Sequence, residues 1–209
     1  MKIYIIYDNT AWDKNFLCDW GFSCIVEVQG RKILFDTGAK GDVLFNNMKK
    51  AGVDPSDIGE VFISHDHWDH IGGLSDFLKK NQRKVYVPLS SKLNGDSVVR
   101  VKGEVEIHDD IYSTGELKNI EQSLIIREKN NLVVITGCSH SGVKNILNAA
   151  GRFGSVGTLI GGLHGFNDFK EISDVKTICP THCSQYISEI KKLFPHQYIE
   201  GGAGRVIEI

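Results

Sequence analysis

The densest concentration of reactive side chains is the segment 61–70, VFISHDHWDH, where an apolar run ends in His65, Asp66, His67, Asp69 and His70. Neutral imidazole and carboxylate are good ligands for zinc and other borderline divalent ions, and several offered within one turn of chain can reach one small volume. Trapping a metal is the chemistry this spacing points to; the competing reading is a polar loop that is His-rich by chance. Asp66 and Trp68 alternate with the ligand types and need not face a metal.

Three later segments repeat the pattern. Thr136-Gly137-Cys138-Ser139-His140-Ser141-Gly142 follows one apolar run, Gly161-Gly162-Leu163-His164-Gly165 follows another, and Pro180-Thr181-His182-Cys183 precedes a helical pattern. Six of the eight histidines fall in such places. Polar groups at successive strand ends can converge on one rim while the strands hold them still. His140 and His182 read as metal ligands, and His164 as either a ligand or a proton donor. A lone histidine is more often structural, but repetition at four strand ends is harder to explain that way.

The elements that would position these groups are short. Strand-like runs rich in β-branched and aromatic residues occur at 2–7, 23–28, 32–35, 60–63, 84–87, 104–107, 123–127, 132–135, 158–160, 197–199 and 205–209. Helical periodicity appears at Val43, Leu44, Met48 and Ala51; at Leu74, Phe77 and Leu78; at Val143, Ile146, Leu147 and Ala150; and at Ile187, Ile190 and Leu193. Gly52 and Gly151 are placed to cap the first and third helices, and Gln29-Gly30 to close a hairpin over 23–35. Strands outnumber helices and both occur in each half, which suits an α/β sandwich better than a regular βαβ alternation.

A chain of 209 residues, 41% hydrophobic and 24% charged, has the composition of an ordinary globular protein, and one domain over 1–209 is expected. Its formal net charge of −2, from 24 basic and 26 acidic residues without long runs of either sign, gives no nucleic-acid or lipid footprint. Small molecules are the expected partners, with no nucleic acid and no membrane. The first ten residues read as a strand rather than a signal peptide, and the five cysteines suggest a reducing compartment, so a cytoplasmic location is expected.

The chemistry-bearing residues resemble a known family. His65-Asp66-His67-Trp68-Asp69-His70 is similar to the HxHxDH signature of the metallo-β-lactamase superfamily, and Phe35-Asp36-Thr37-Gly38 resembles its DTG element. The segments at 136–142, 161–164 and 180–183 resemble the TGCSHxG, GGxH and PxHC elements of a branch related to dihydropterin-aminobenzene phosphate synthase. The resemblance implies an α/β (α+β) fold, a four-layer αββα sandwich of two mixed sheets with outer helices, holding two divalent metal ions. It implies that His65, His67 and His140 serve one ion, that Asp69, His70 and His182 serve the other, and that Asp36 accepts a hydrogen bond from a metal-binding histidine. Two departures stand out. Cys138 occupies a place where many members have a metal-bridging aspartate, and Cys183-Ser184-Gln185 replaces the usual Cys-Thr-Gly.

The activity expected is that of a metal-dependent hydrolase using a dinuclear metal-bound hydroxide on a small anionic ester or phosphoester. Asp69 and His164 are the catalytic candidates, with His164 suited to protonating a leaving group. Zinc is the first expectation for the metal, and iron or manganese would also suit the donor set. The alternatives are a pterin-phosphate synthase or transferase on the same site, a di-iron redox centre, and a metal-binding module without catalysis. Cys138 is expected to pack beneath its loop as a small buried group while His140 takes the metal.

Overall fold

The computed structural model describes all 209 residues, Met1–Ile209. Its packing divides into two compact units: one made of Met1–Val87, Ser91–Arg100 and Gly201–Ile209, the other of Pro88–Ser90 and Val101–Glu200.

The first unit holds a seven-stranded sheet. Its strands are β1 (Lys2–Tyr7), β2 (Ser23–Val28), β3 (Arg31–Phe35), β4 (Glu60–Phe62), β5 (Lys84–Pro88), β6 (Val98–Val101) and the last strand of the chain, β13 (Val206–Glu208). They lie in the order β13-β1-β2-β3-β4-β5-β6. The pairs from β13 to β3 are antiparallel, whereas β3–β4 and β4–β5 are parallel. The hairpin expected at Gln29-Gly30 is present: Val28 faces Arg31, and both turn residues have positive φ, +51° and +75°. A two-residue loop of that kind matches the twist of the strands it joins.

Helices α1 (Gly41–Lys50), α2 (Trp68–Ile71) and α3 (Leu74–Lys80) belong to this unit. Helix α1 turns Val43, Leu44, Asn47 and Met48 inward, against a core that includes Ile6, Leu34, Val61 and Phe77. It ends as expected at Gly52, whose φ of +70° lets Val53 N–H bond back to Met48 O at 3.0 Å.

The second unit holds a six-stranded sheet of β7 (Val105–His108), β8 (Ile111–Ser113), β9 (Leu124–Glu128), β10 (Asn131–Thr136), β11 (Val156–Gly162) and β12 (Thr177–Thr181), in the order β12-β11-β10-β9-β8-β7. Here too an antiparallel run, β7 to β10, continues into parallel pairs, β10–β11 and β11–β12. Helix α4 (Val143–Ala150) connects β10 to β11, and α5 (Ile187–Leu193) follows β12. Its core includes Leu132, Val134, Ile146, Leu159, Ile178 and Ile190.

Several expectations are corrected. Strands β6, β8 and β12 lie where none was expected, and 197–199 forms only a bridge between Ile178 and Tyr198. The last two have one cause. Strand β12 contains Pro180, which argues against a strand in sequence, but β12 is an edge strand, where a missing donor is tolerated. Ile178 N–H bonds to Gln197 O and Ile199 N–H to Ile178 O, and Pro180 has no N–H to carry that ladder further. Gly151 does follow α4, but with φ of −59°, so it makes no left-handed cap.

Candidate metal centre

In the first unit the ligand types lie beyond the carboxyl ends of the parallel strands β3 and β4, where open α/β sheets gather their functional loops. Asp36 directly follows β3 and is fully buried. Its backbone N–H donates to Phe62 O at 2.9 Å. One carboxylate oxygen accepts from Ser64 N–H at 2.7 Å; the other accepts from the Ser64 hydroxyl at 2.7 Å and pairs with His70 Nδ1 at 2.7 Å. Such saturation is what makes a buried carboxylate tolerable.

The Ser64 hydroxyl has a single proton and gives it to Asp36, so its oxygen accepts from His65 Nδ1, 2.9 Å away. By this logic of donors and acceptors both imidazoles carry their proton on Nδ1 and present Nε2 as the lone-pair nitrogen. Orienting a histidine through its other ring nitrogen is the usual way of preparing it for a metal. The His65 ring lies 4.4 Å from that of His67 and 4.2 Å from that of His70 between centroids. His65 and His70 are buried and His67, just before α2, is exposed.

Asp69 is buried, and its Oδ2 accepts from the indole N–H of Trp20 at 2.9 Å. The loop bearing Trp20 is pinned in place: Asn47 on α1 bonds both the N–H and the C=O of Leu17, at 2.9 and 2.7 Å, and Asn9 Oδ1 accepts from Gly21 N–H at 3.0 Å. Gly21 is required there, since a Cβ would come within 2.5 Å of Asp69 O. Trp20 is a site residue missed in sequence, because nothing local marks a tryptophan as the partner of an aspartate 49 positions away. Asp66 turns elsewhere, as expected, and accepts from the Ser91 hydroxyl at 2.7 Å and Lys92 N–H at 2.5 Å.

In the second unit the ligand types follow the parallel strands β10, β11 and β12. Cys138 lies two residues beyond β10 and is buried, 3% exposed. Ser139, with φ of +58°, bonds through its hydroxyl to Gly162 O at 2.7 Å. Ser141 donates both its N–H and its hydroxyl to Glu121 Oε1, at 2.7 and 2.6 Å, which fixes the turn carrying His140. The His140 and His164 rings have centroids 5.0 Å apart. His164 is exposed on a left-handed residue, φ +48°, and its carbonyl accepts from Gln185 N–H at 2.9 Å. His182, 8% exposed and with φ of +50°, directly follows β12.

One grouping here was not expected from sequence. A sulfur of Cys138, a ring nitrogen of His182 and the sulfur of Cys183 lie within 4.8 Å of one another, a spacing that suits a shared ion. The Cys138 hydrogen bond and the nearby His182 and His164 lower the Cys183 pKa to about 6, against the opposing effect of burial. In sequence Cys138 and Cys183 are 45 residues apart, and only the β10-β11-β12 order joins their turns.

The sequence profile of the metallo-β-lactamase superfamily matches residues 21–96, which include β2 to β5 and the 65–70 cluster. A crystal structure described as a metal-dependent hydrolase of the β-lactamase superfamily is 26% identical, with a TM-score of 0.83 over 100% of this chain and 99% of that one. Residues 21–96 are therefore similar to the metallo-β-lactamase superfamily, and the chain has the α/β sandwich fold of that crystal structure.

Among curated proteins it is similar to the 7,8-dihydropterin-6-methyl-4-(β-D-ribofuranosyl)-aminobenzene-5′-phosphate synthase of Methanocaldococcus jannaschii, at 22% identity over 100% of this chain and 96% of the synthase. An uncharacterised protein of the same organism is 25% identical over 99% of this chain and 100% of its own length. These likenesses support the branch inferred from the motifs. Zinc-bound PqqB from Methylobacterium extorquens shares the fold at 12% identity, with a TM-score of 0.66 over 100% of both chains. No helix is long and apolar enough to cross a membrane.

Proposed function

We propose that this protein is a metal-dependent hydrolase in which His65, His67, Asp69, His70, His140 and His182 hold two divalent ions. The observation that carries the reading is the Asp36–Ser64 network, which engages Nδ1 of both His65 and His70 and presents their Nε2 atoms. Two histidines oriented by a fully satisfied buried carboxylate are built as ligands; packing alone would be served by apolar residues. Imidazoles with one carboxylate suit zinc, and iron or manganese as well. The chain acts as one domain in this reading.

When bound, a pair of divalent ions supplies Lewis acidity and a water of lowered pKa. Asp36 and Ser64 keep two imidazoles in one tautomer, and Trp20 holds the Asp69 carboxylate in one orientation. His164, exposed and outside that ligand set, delivers a proton to the departing oxygen of the substrate. Five imidazoles and one carboxylate offset little of the charge of two divalent ions, so the substrate is a small anion, a phosphoester or carboxylated ester.

The likeness to a named synthase favours a second reading, transfer to an acceptor other than water on the same metal site. One experiment separates the two. Protein stripped of metal and reloaded is assayed on a panel of anionic esters, with and without a pterin-type acceptor. Hydrolysis restored by metal alone supports the first reading, turnover only with acceptor supports the second, and equal rates for stripped and loaded protein would refute both.

A further inference from the structure

We propose that Cys138, His182 and Cys183 form a sulfur-donor metal position, so that the ion held by His182 is bound by thiolate as well as imidazole. The inference deepens the hydrolase reading and rests on it only for the role of His182. Three observations carry it.

The first is proximity: two sulfurs and one imidazole nitrogen, all within 4.8 Å of one another, are the right number and kind of donors to hold a thiophilic ion and leave a position open. The second is that the backbone makes room for them. Gly162, at the end of β11 between the two turns, has no side chain, and a Cβ there would lie 2.4 Å from Gly137 O, 2.7 Å from Cys183 Sγ and 3.3 Å from Cys138 Cα. Any larger residue would displace the sulfur. The third is that the turns carrying the donors are strained and tied together. His182 and Ser139 both have positive φ, Ser139 is anchored to Gly162 O, and Leu163 N–H bonds to the Ser184 hydroxyl at 2.9 Å. These hydrogen bonds tie the turns together and so hold the spacing of the three donors.

A thiolate would also supply negative charge where this sequence has cysteine in place of a bridging aspartate. A thiol that coordinates a divalent ion gives up its proton outright, so two thiolates would offset the full charge of one ion. They would also bias the site toward zinc, cobalt(II) or cadmium over magnesium or manganese, which prefer oxygen.

The test uses the full chain loaded with cobalt(II), whose thiolate complexes absorb strongly in the near ultraviolet by charge transfer from sulfur. Wild-type protein should show this band. Cys138→Ser and Cys183→Ser should each lose about half of it, and the double variant should lose all of it with cobalt still bound. Bound cobalt without the band would overturn the sulfur position and leave the hydrolase reading intact, whereas no bound cobalt at all would overturn both. A band that survives in the double variant would place the sulfur elsewhere and refute the proposal.

A second measurement needs no variant. Saturating cadmium should abolish iodoacetamide labelling of Cys183 and leave the exposed Cys18 reactive. Unchanged labelling of Cys183 would overturn the proposal.

Discussion

At the scale of single residues, the histidines differ in what holds them. His65 and His70 are locked through Nδ1, whereas His164 is exposed on a left-handed turn and held by its backbone carbonyl. His164→Ala should therefore keep its metal and lose about 10²–10⁴-fold in rate, most severely for poor leaving groups. Rates across a leaving-group series, with metal content measured in parallel, check this, and loss of metal would make His164 a ligand. Trp20 acts one step further out. Trp20→Phe removes the N–H that bonds Asp69 Oδ2 but keeps a ring in a half-exposed place. Metal affinity should fall about 10–100-fold with the melting temperature of stripped protein unchanged. Titration with a competing chelator reads the first quantity and thermal unfolding the second. Unaltered affinity would mean the indole merely covers the site.

At the scale of elements, the site depends on close approaches that only glycine allows. Gly161, near the end of β11, has φ of +125°, and a Cβ there would sit 1.9 Å from Thr136 O on β10. Gly30, in the β2–β3 turn, also has positive φ, but nothing lies within 4 Å of its Cβ position. Gly30→Ala should thus cost about 1–2 kcal/mol, the conformational term alone. Gly161→Ala adds a backbone clash and should cost more than about 3 kcal/mol, or prevent folding. Urea unfolding of the two variants makes the comparison, and equal costs would show that β11 can shift away from β10 without loss.

For the whole molecule, the proposed ligand set would tie metal binding to folding. An ion that binds the native chain and not the unfolded one stabilises it by about 4 kcal/mol when present at a thousandfold excess over its dissociation constant. Chelation should accordingly lower the melting temperature by several degrees, and readdition of zinc should restore it. His67→Ala should shrink that shift, because an incomplete ligand set binds more weakly. Metal stoichiometry and melting curves measured together decide the point, and an undiminished shift with full stoichiometry would remove His67 from the ligand set.

The sequence by itself determined the class of fold and which reactive residue types gather at the strand ends. Six histidines and Asp69 at strand ends are a local pattern, and so are the hairpin at Gln29-Gly30 and the α1 stop at Gly52, because each depends on neighbours in the chain. Tertiary structure decided what depends on distant partners. Strand β12 is tolerable with Pro180 only because it lies at a sheet edge, a fact of topology and not of composition. Trp20 reaches Asp69 because Asn47 pins the loop between them, and Cys138 meets Cys183 because β10, β11 and β12 run side by side in parallel. Residue types and spacing reveal which groups can bind a metal; their hydrogen-bond partners, tautomers and sulfur neighbours arise from contacts between segments, which no local pattern encodes.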